Sequence, residues 1–210
     1  MSGVTRLVLL RHGVTDWNER NVFQGQEDIP LNERGLAQAS AVAPYLAGLQ
    51  PTAIYCSPMV RTRQTAQPVI DLIGIEPTID ARLAEIDVGT WVGYNLADVS
   101  VLDPEAGRAQ AAGKDFRRSP SGETMTEVGA RVGECLRQVA QDHDGETVLI
   151  ASHGGAIRMG IVNLLGWTYE TAVGLGGLAN CSVSNVSRRG SRWRLEVYNS
   201  SVVTAPGVVN

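Results

Sequence analysis

The chain has 210 residues, 43% of them hydrophobic, and 18 Lys+Arg against 22 Asp+Glu give a formal net charge of −4. That length and apolar content fit a single domain with a sizeable core and exclude global disorder, while the acidic balance argues against a nucleic-acid partner. Three scattered cysteines, Cys56, Cys135 and Cys181, form neither a disulfide framework nor a CxxC metal pair and fit the reducing cytoplasm, and no apolar run nears the roughly 18–20 residues of a membrane span.

In chain order, Leu7–Leu10 is a first apolar strand, too short for a secretory segment. Helical spacing over Asn32–Leu49 puts Leu36, Ala39, Ala43, Leu46 and Leu49 on one face, with a kink at Pro44. A second strand covers Thr52–Cys56. Ser57 then reads as an N-cap and Pro58 as the first residue of a helix that runs to Ile73. A third strand lies at Glu76–Ile79. From about 86 to 121 the periodicity is poor and Gly, Pro and charges mix, a loop-and-helix excursion placed to cap a site. Thr124 with Glu127 three residues on is a capping-box pattern, opening a helix to Asp142. Thr147–Ala151 is a fourth strand and Gly155–Leu165 a buried helix. Cys181–Ser187 and Arg192–Tyr198, joined through Arg189-Gly190-Ser191, read as a hairpin whose edge is a place for a homodimer to form. The tail 200–210 reads as mobile. The alternation of strands and helices gives an α/β sandwich with a largely parallel sheet.

Two of these strands end alike. The first closes Arg11-His12-Gly13 and the fourth Ser152-His153-Gly154. Ligands in open α/β sheets sit outside the carboxyl ends of strands, so if the two strands are parallel neighbours both histidines face one crevice. The glycine after each would let backbone N–H groups approach a ligand. Arg61 stands on the first turn of the helix after the second strand, and Arg82 and Glu85 follow the third. The convergent set is Arg11, His12, Arg61, Glu85 and His153. Two Arg and two His make a cup for a phosphoryl group, which carries roughly −1.5 to −2 charge near neutral pH. Arg forks onto phosphate oxygens, an imidazole kept neutral by nearby cations is a nucleophile, and a Glu can protonate a leaving alkoxide.

The run Arg11-His12-Gly13-Val14-Thr15-Asp16-Trp17-Asn18 resembles the RHGxTxxN signature of the histidine phosphatase superfamily, the phosphoglycerate-mutase-like proteins. Gln24-Gly25, Leu31-Asn32-Glu33-Arg34-Gly35, Ser57-Pro58-Met59-Val60-Arg61, Leu83-Ala84-Glu85 and Ser152-His153-Gly154-Gly155 are similar as well, in order, from about 7 to 166. The resemblance implies a three-layer α/β/α sandwich on a mostly parallel mixed sheet, one domain with the 86–121 stretch as a small cap. It implies His12 as the nucleophile that becomes phosphohistidine. Arg11, Arg61 and His153 would hold the transferring group, with Glu85 as proton donor and then water activator. Asn18 would line the phosphate pocket, with Gln24, Gly25 and Gly154 also against the substrate. No metal and no cofactor are expected, because Arg and His supply the charge. The partner is a small-molecule phosphate ester, of sugar or phosphoglycerate type.

Within that family the short chain and the block Phe23-Gln24-Gly25-Gln26, where mutases carry Gly-Trp, favour the small bacterial phosphatase branch over a cofactor-dependent phosphoglycerate mutase. A phospholigand-binding module that does no chemistry is the rival from another class; it could lose His12 or Glu85, and this chain has both. Lys114, Arg117 and Arg118 around Phe116 read as a solvated charge run rather than a clamp. Trp91 and Tyr94 stay open between packing and stacking on a substrate, and Arg158 between facing the pocket and pairing with an acid. Gly107 to Lys114 departs from a Walker loop in spacing, Gly174 to Ala179 precedes a strand instead of following one, and His143 sits at a helix end, so all three are set aside.

Overall fold

The computed structural model describes residues 3–201. Strand β1 (Thr5–Arg11) is followed by a short helix α1 (Asp16–Glu19), then α2 (Glu33–Gly48), β2 (Ala53–Cys56), α3 (Val60–Ile73) and β3 (Thr78–Ile79). The excursion holds helical turns at Ala81–Leu83 and Gly89–Trp91 and two helices, α4 (Leu96–Leu102) and α5 (Pro104–Ala111). Then come α6 (Met125–Asp142), β4 (Thr147–Ser152), α7 (Gly154–Leu164), α8 (Tyr169–Ala172), β5 (Val183–Arg189) and β6 (Arg192–Ser200). The strands lie in the order β3-β2-β4-β1-β5-β6. The first four are mutually parallel; β5 is antiparallel to β1, and β6 to β5. The expected mixed, mostly parallel sheet is therefore present, and the two-residue turn Gly190-Ser191 makes the expected hairpin.

Alternation along β1 separates the layers, because successive side chains of a strand face opposite ways. Leu7 and Leu9 pack with Val128, Val132, Leu136, Ala156, Ile157 and Ile161 of α6 and α7. Val8 and Leu10 pack with Val42, Leu46, Ala66 and Val69 of α2 and α3. The result is a three-layer α/β/α sandwich. Capping sets several boundaries: Asn32 accepts the Gly35 N–H to start α2, and Thr124 and Glu127 form the expected box at α6. Helix α2 continues through Pro44.

Three expectations need correcting. Helix α3 begins at Val60 with Met59 at its N-cap and no side-chain cap, because the Ser57 hydroxyl is engaged elsewhere. Leu36 is 45% exposed; the buried stripe of α2 runs through Gly35, Ala39, Val42, Ala43 and Leu46 instead. β6 extends to Ser200, so the mobile tail cannot start there, and 202–210 lies outside the described residues. Among the described residues no helix is long and apolar enough to cross a membrane.

Candidate active site

β1 and β4 are parallel neighbours with Arg11 opposite Ser152, so His12 and His153 leave the sheet side by side. Their ring centroids are 5.2 Å apart and both rings are buried. The Nδ1 of His12 lies 2.7 Å from the Gly13 carbonyl. A carbonyl only accepts, so Nδ1 carries the proton and Nε2 keeps the lone pair. Burial first, then the charges of Arg11 and Arg61, holds the His12 imidazole well below its usual pKa. The same causes, with burial again foremost and Arg61 next, act on His153.

His153 is engaged at both nitrogens. Arg61 Nε donates to its Nδ1 at 3.2 Å, so in the neutral ring Nε2–H donates to Ser57 Oγ, 2.7 Å away. To meet a phosphoryl oxygen the ring must release one of these partners. Arg61 is fully buried; its Nη1 donates to the Glu27 carbonyl at 2.6 Å and its Nη2 to that of Gly25 at 2.8 Å. Gly25 thus reaches the cup through its carbonyl, at φ +51, where a Cβ would collide with Val88. Arg11 Nη1 donates to the Leu178 carbonyl, while its Nε is buried with no partner, an orphaned donor at the mouth of the cup. Gly154 lies against that Nε, and a Cβ there would stand 3.2 Å from it.

Glu85 reaches the same edge from the turn after β3. Its Oε1 accepts the N–H groups of Ile86 (3.0 Å) and Ala156 (3.1 Å), and its Oε2 that of Gly155 (3.2 Å). The carboxyl group is therefore held against the first turn of α7 by the Gly155 and Ala156 N–H groups. Arg131 of α6 holds the loop in place, donating to the carbonyls of Arg82, Ala84 and Glu85 and pairing with Glu123.

The other expected residues are placed as follows. The Asn18 Oδ1 accepts from the Thr15 backbone and from Asn180, and Gln24 Oε1 accepts the Thr15 hydroxyl, so both brace the loop after His12. The N–H of Gly13 goes to Thr65 Oγ1 and is not free for a ligand. Gly13 is small because α2 crosses it: a Cβ would stand 2.7 Å from the Gly35 carbonyl. Arg82 turns back onto Asp80 and stays outside the convergent set. Arg117 pairs with Glu127, and Arg118 stacks on Phe116 beside Asp115. These cations hold the excursion together. Beneath it a cavity of about 300 Å³ is lined by Ile86, Trp91, Phe116, Met125, Arg118 and Arg158, among others, and Tyr94 is exposed. His143 caps α6 and bonds Tyr55 and Glu146; among the described residues no group of three or more His, Cys, Asp or Glu is arranged to hold a metal ion. Three contributors had no signal in the sequence or a misleading one: Ser57, which resembled a helix cap; the carbonyl of Leu178; and Asn180.

A family model described as the histidine phosphatase superfamily (branch 1) matches residues 7–201. A curated protein of Yersinia pestis, named a probable phosphoglycerate mutase, is 34% identical over 188 residues, covering 90% of this chain and 87% of that one. A mycobacterial glucosyl-3-phosphoglycerate phosphatase, solved with a vanadate (VO3), superposes with a TM-score of 0.85 at 34% identity, covering 93% of this chain and 99% of that one. A phosphoserine phosphatase of Entamoeba histolytica, solved with 3-phosphoglyceric acid, gives 0.85 at 27% identity over 94% of this chain and 98% of its own.

Proposed function

The chain belongs to the histidine phosphatase superfamily and is a hydrolase of the phosphomonoesterase type, and from that premise we propose that it hydrolyses small phosphomonoesters, of sugar or phosphoglycerate type, through a phosphohistidine on His12 and without a metal. In the first step the Nε2 lone pair of His12 attacks phosphorus and the bond to the leaving oxygen breaks. Glu85 gives its proton to that oxygen. In the second step water attacks phosphorus, the Glu85 carboxylate takes the water proton, and the P–N bond breaks to return neutral His12 and release phosphate. Oε2 of Glu85, which accepts one N–H against two at Oε1, has the room to carry the proton.

The observation that carries this reading is the His12–Gly13 bond, which leaves an unprotonated Nε2 in a cup with two arginines. Arg11, with its free Nε, and Arg61 supply the positive charge that a metal supplies in other phosphoryl transfers. His153 joins them once a phosphoryl oxygen replaces Ser57 or Arg61 at its ring. The 86–121 stretch is the cap of a single domain, and the cavity beside Ile86 is where we place selection among leaving groups. The three cysteines are free and buried, in keeping with work in the cytoplasm.

The test is phosphate release from a panel that includes 3-phosphoglycerate and sugar-phosphoglycerate esters, with EDTA present. Release, together with a phosphohistidine seen by phosphorus NMR after an alkaline quench, is the expected outcome. His12→Ala should abolish both in a folded protein; turnover that survives the substitution removes His12 as nucleophile. Glu85→Gln should slow alkyl phosphates by about 10²–10⁴-fold and p-nitrophenyl phosphate far less, since that leaving group needs little protonation. Equal losses would take Glu85 out of the acid role. The name of the Yersinia relative favours a second reading, the mutase. It predicts transfer between hydroxyls of phosphoglycerate where the phosphatase frees phosphate.

A further inference from the structure

Asn180 stands three residues before the start of β5, in a loop fixed on both sides. Ala179 N–H donates to Asn199 Oδ1 of β6 at 2.7 Å, and Cys181 N–H donates to the carbonyls of Arg11 (3.1 Å) and His12 (3.2 Å). The Asn180 side chain is thereby presented to the loop after β1. Its Nδ2 donates to the His12 carbonyl at 3.0 Å, the Gly13 carbonyl at 3.1 Å and Asn18 Oδ1 at 3.2 Å. The Gly13 carbonyl is the same group that receives the Nδ1 proton of His12. One oxygen therefore takes two donors, one from the imidazole and one from Asn180, and the second holds its direction together with the bond from the N–H of the same peptide, Val14, to Gln38 Oε1.

We propose that Asn180 is a positioning residue that fixes the tautomer of His12. This rests on the reading of His12 as nucleophile. A neutral imidazole has its proton on one nitrogen or the other, and the choice follows the hydrogen bond the ring makes. While Gly13 C=O is held toward Nδ1, the proton stays there and Nε2 is basic. When Asn180 is removed, the Gly13–Val14 peptide keeps only the Val14 N–H bond to Gln38 Oε1 (3.0 Å) as a side-chain anchor, its carbonyl can swing away from the ring, the Nδ1–H loses its acceptor, and the Nε2–H form becomes populated. That form has no lone pair at Nε2 for phosphorus. Asn180 touches no reacting atom; it acts through Gly13.

The experiment uses the full chain labelled with ¹⁵N-histidine. Long-range ¹H–¹⁵N spectra of the parent should show His12 as the Nδ1–H form, and Asn180→Ala should show the Nε2–H form or an exchanging mixture. With p-nitrophenyl phosphate, kcat should fall about 100-fold, the scale expected when a reacting group is misplaced by about 1 Å. KM and the affinity for inorganic phosphate should change less than about threefold, because Arg11 and Arg61 remain. Asn180→Asp keeps the shape but sets an acceptor against two carbonyls, and should lose at least as much kcat. An unchanged tautomer in folded Asn180→Ala, or a loss that falls wholly in KM, overturns the inference. If Asn180→Ala does not fold, the same two readouts move to Asn180→Ser, with a smaller kcat loss expected and an unchanged tautomer again decisive against. A parent that shows the Nδ1–H form yet traps no phosphohistidine refutes the nucleophile reading and not the role of Asn180 in the tautomer.

Discussion

Burial of His12 and His153 makes acid the natural enemy of this site. Each ring is held well below its ordinary pKa when folded, so the unfolded chain takes up more protons than the folded one as pH falls through about 6.5. Stability from the neutral rings is complete above that pH and declines below it, until the folded rings themselves protonate. Asp80, Asp115 and Glu123, held below their usual range, act in the same direction only below about pH 4.5. Urea denaturation should therefore give a lower midpoint at pH 5 than at pH 7, and His12→Ala should shrink the difference. NMR titration should find neither ring charging near 6.5; a histidine that does so at position 12 or 153 refutes the account. At this scale the sequence was most legible where side chains line the cup, as at the two strand-end histidines, which the structure brings to 5.2 Å of each other. It was mute where backbone does the work. The Leu178 carbonyl on Arg11 leaves no trace in residue identity, and Asn180 is one amide in a glycine-rich run.

The contact between α2 and the loop after β1 is a tight one on which the site depends. A Cβ on Gly35 would lie 2.1 Å from the Val14 carbonyl, and that backbone cannot yield without shifting Gly13 and His12. Gly35→Ala should cost about 3 kcal/mol in urea unfolding, the upper end of ordinary overpacking, and lower kcat with it. Gly48 in the same helix has open space around it, so Gly48→Ala should stabilise by up to about 1 kcal/mol and leave kcat alone. Similar effects of the two substitutions would show that helix propensity, not crowding, governs α2. The helices themselves were readable from spacing and caps, as Thr124 and Asn32 illustrate. The start of α3 was not, because a serine before a proline looks like a cap whether its hydroxyl meets an N–H or a histidine ring. The short α1 and α8 are too brief to show a helical period.

Across the whole molecule, the parallel order of β4 beside β1 was foreseeable only as a condition: two similar strand ends imply one crevice if the strands are neighbours. What makes them neighbours is long-range pairing, which no local pattern records. The hairpin was foreseeable from its turn, but its edge carries exposed Arg192, Arg194 and Glu196. Charges on an edge strand oppose pairing with a second copy, so they weigh against a homodimer along β6. The hairpin has a second consequence, in time rather than space. β1 is made well before β5, yet Arg11 is tethered to the Leu178 carbonyl and the His12 carbonyl to Asn180, 167 and 168 residues later. A nascent chain that has not yet delivered β5 holds every side chain of the cup and lacks the braces that aim two of them. The cup is thus complete only once β5 has docked against β1, however early its side chains are made.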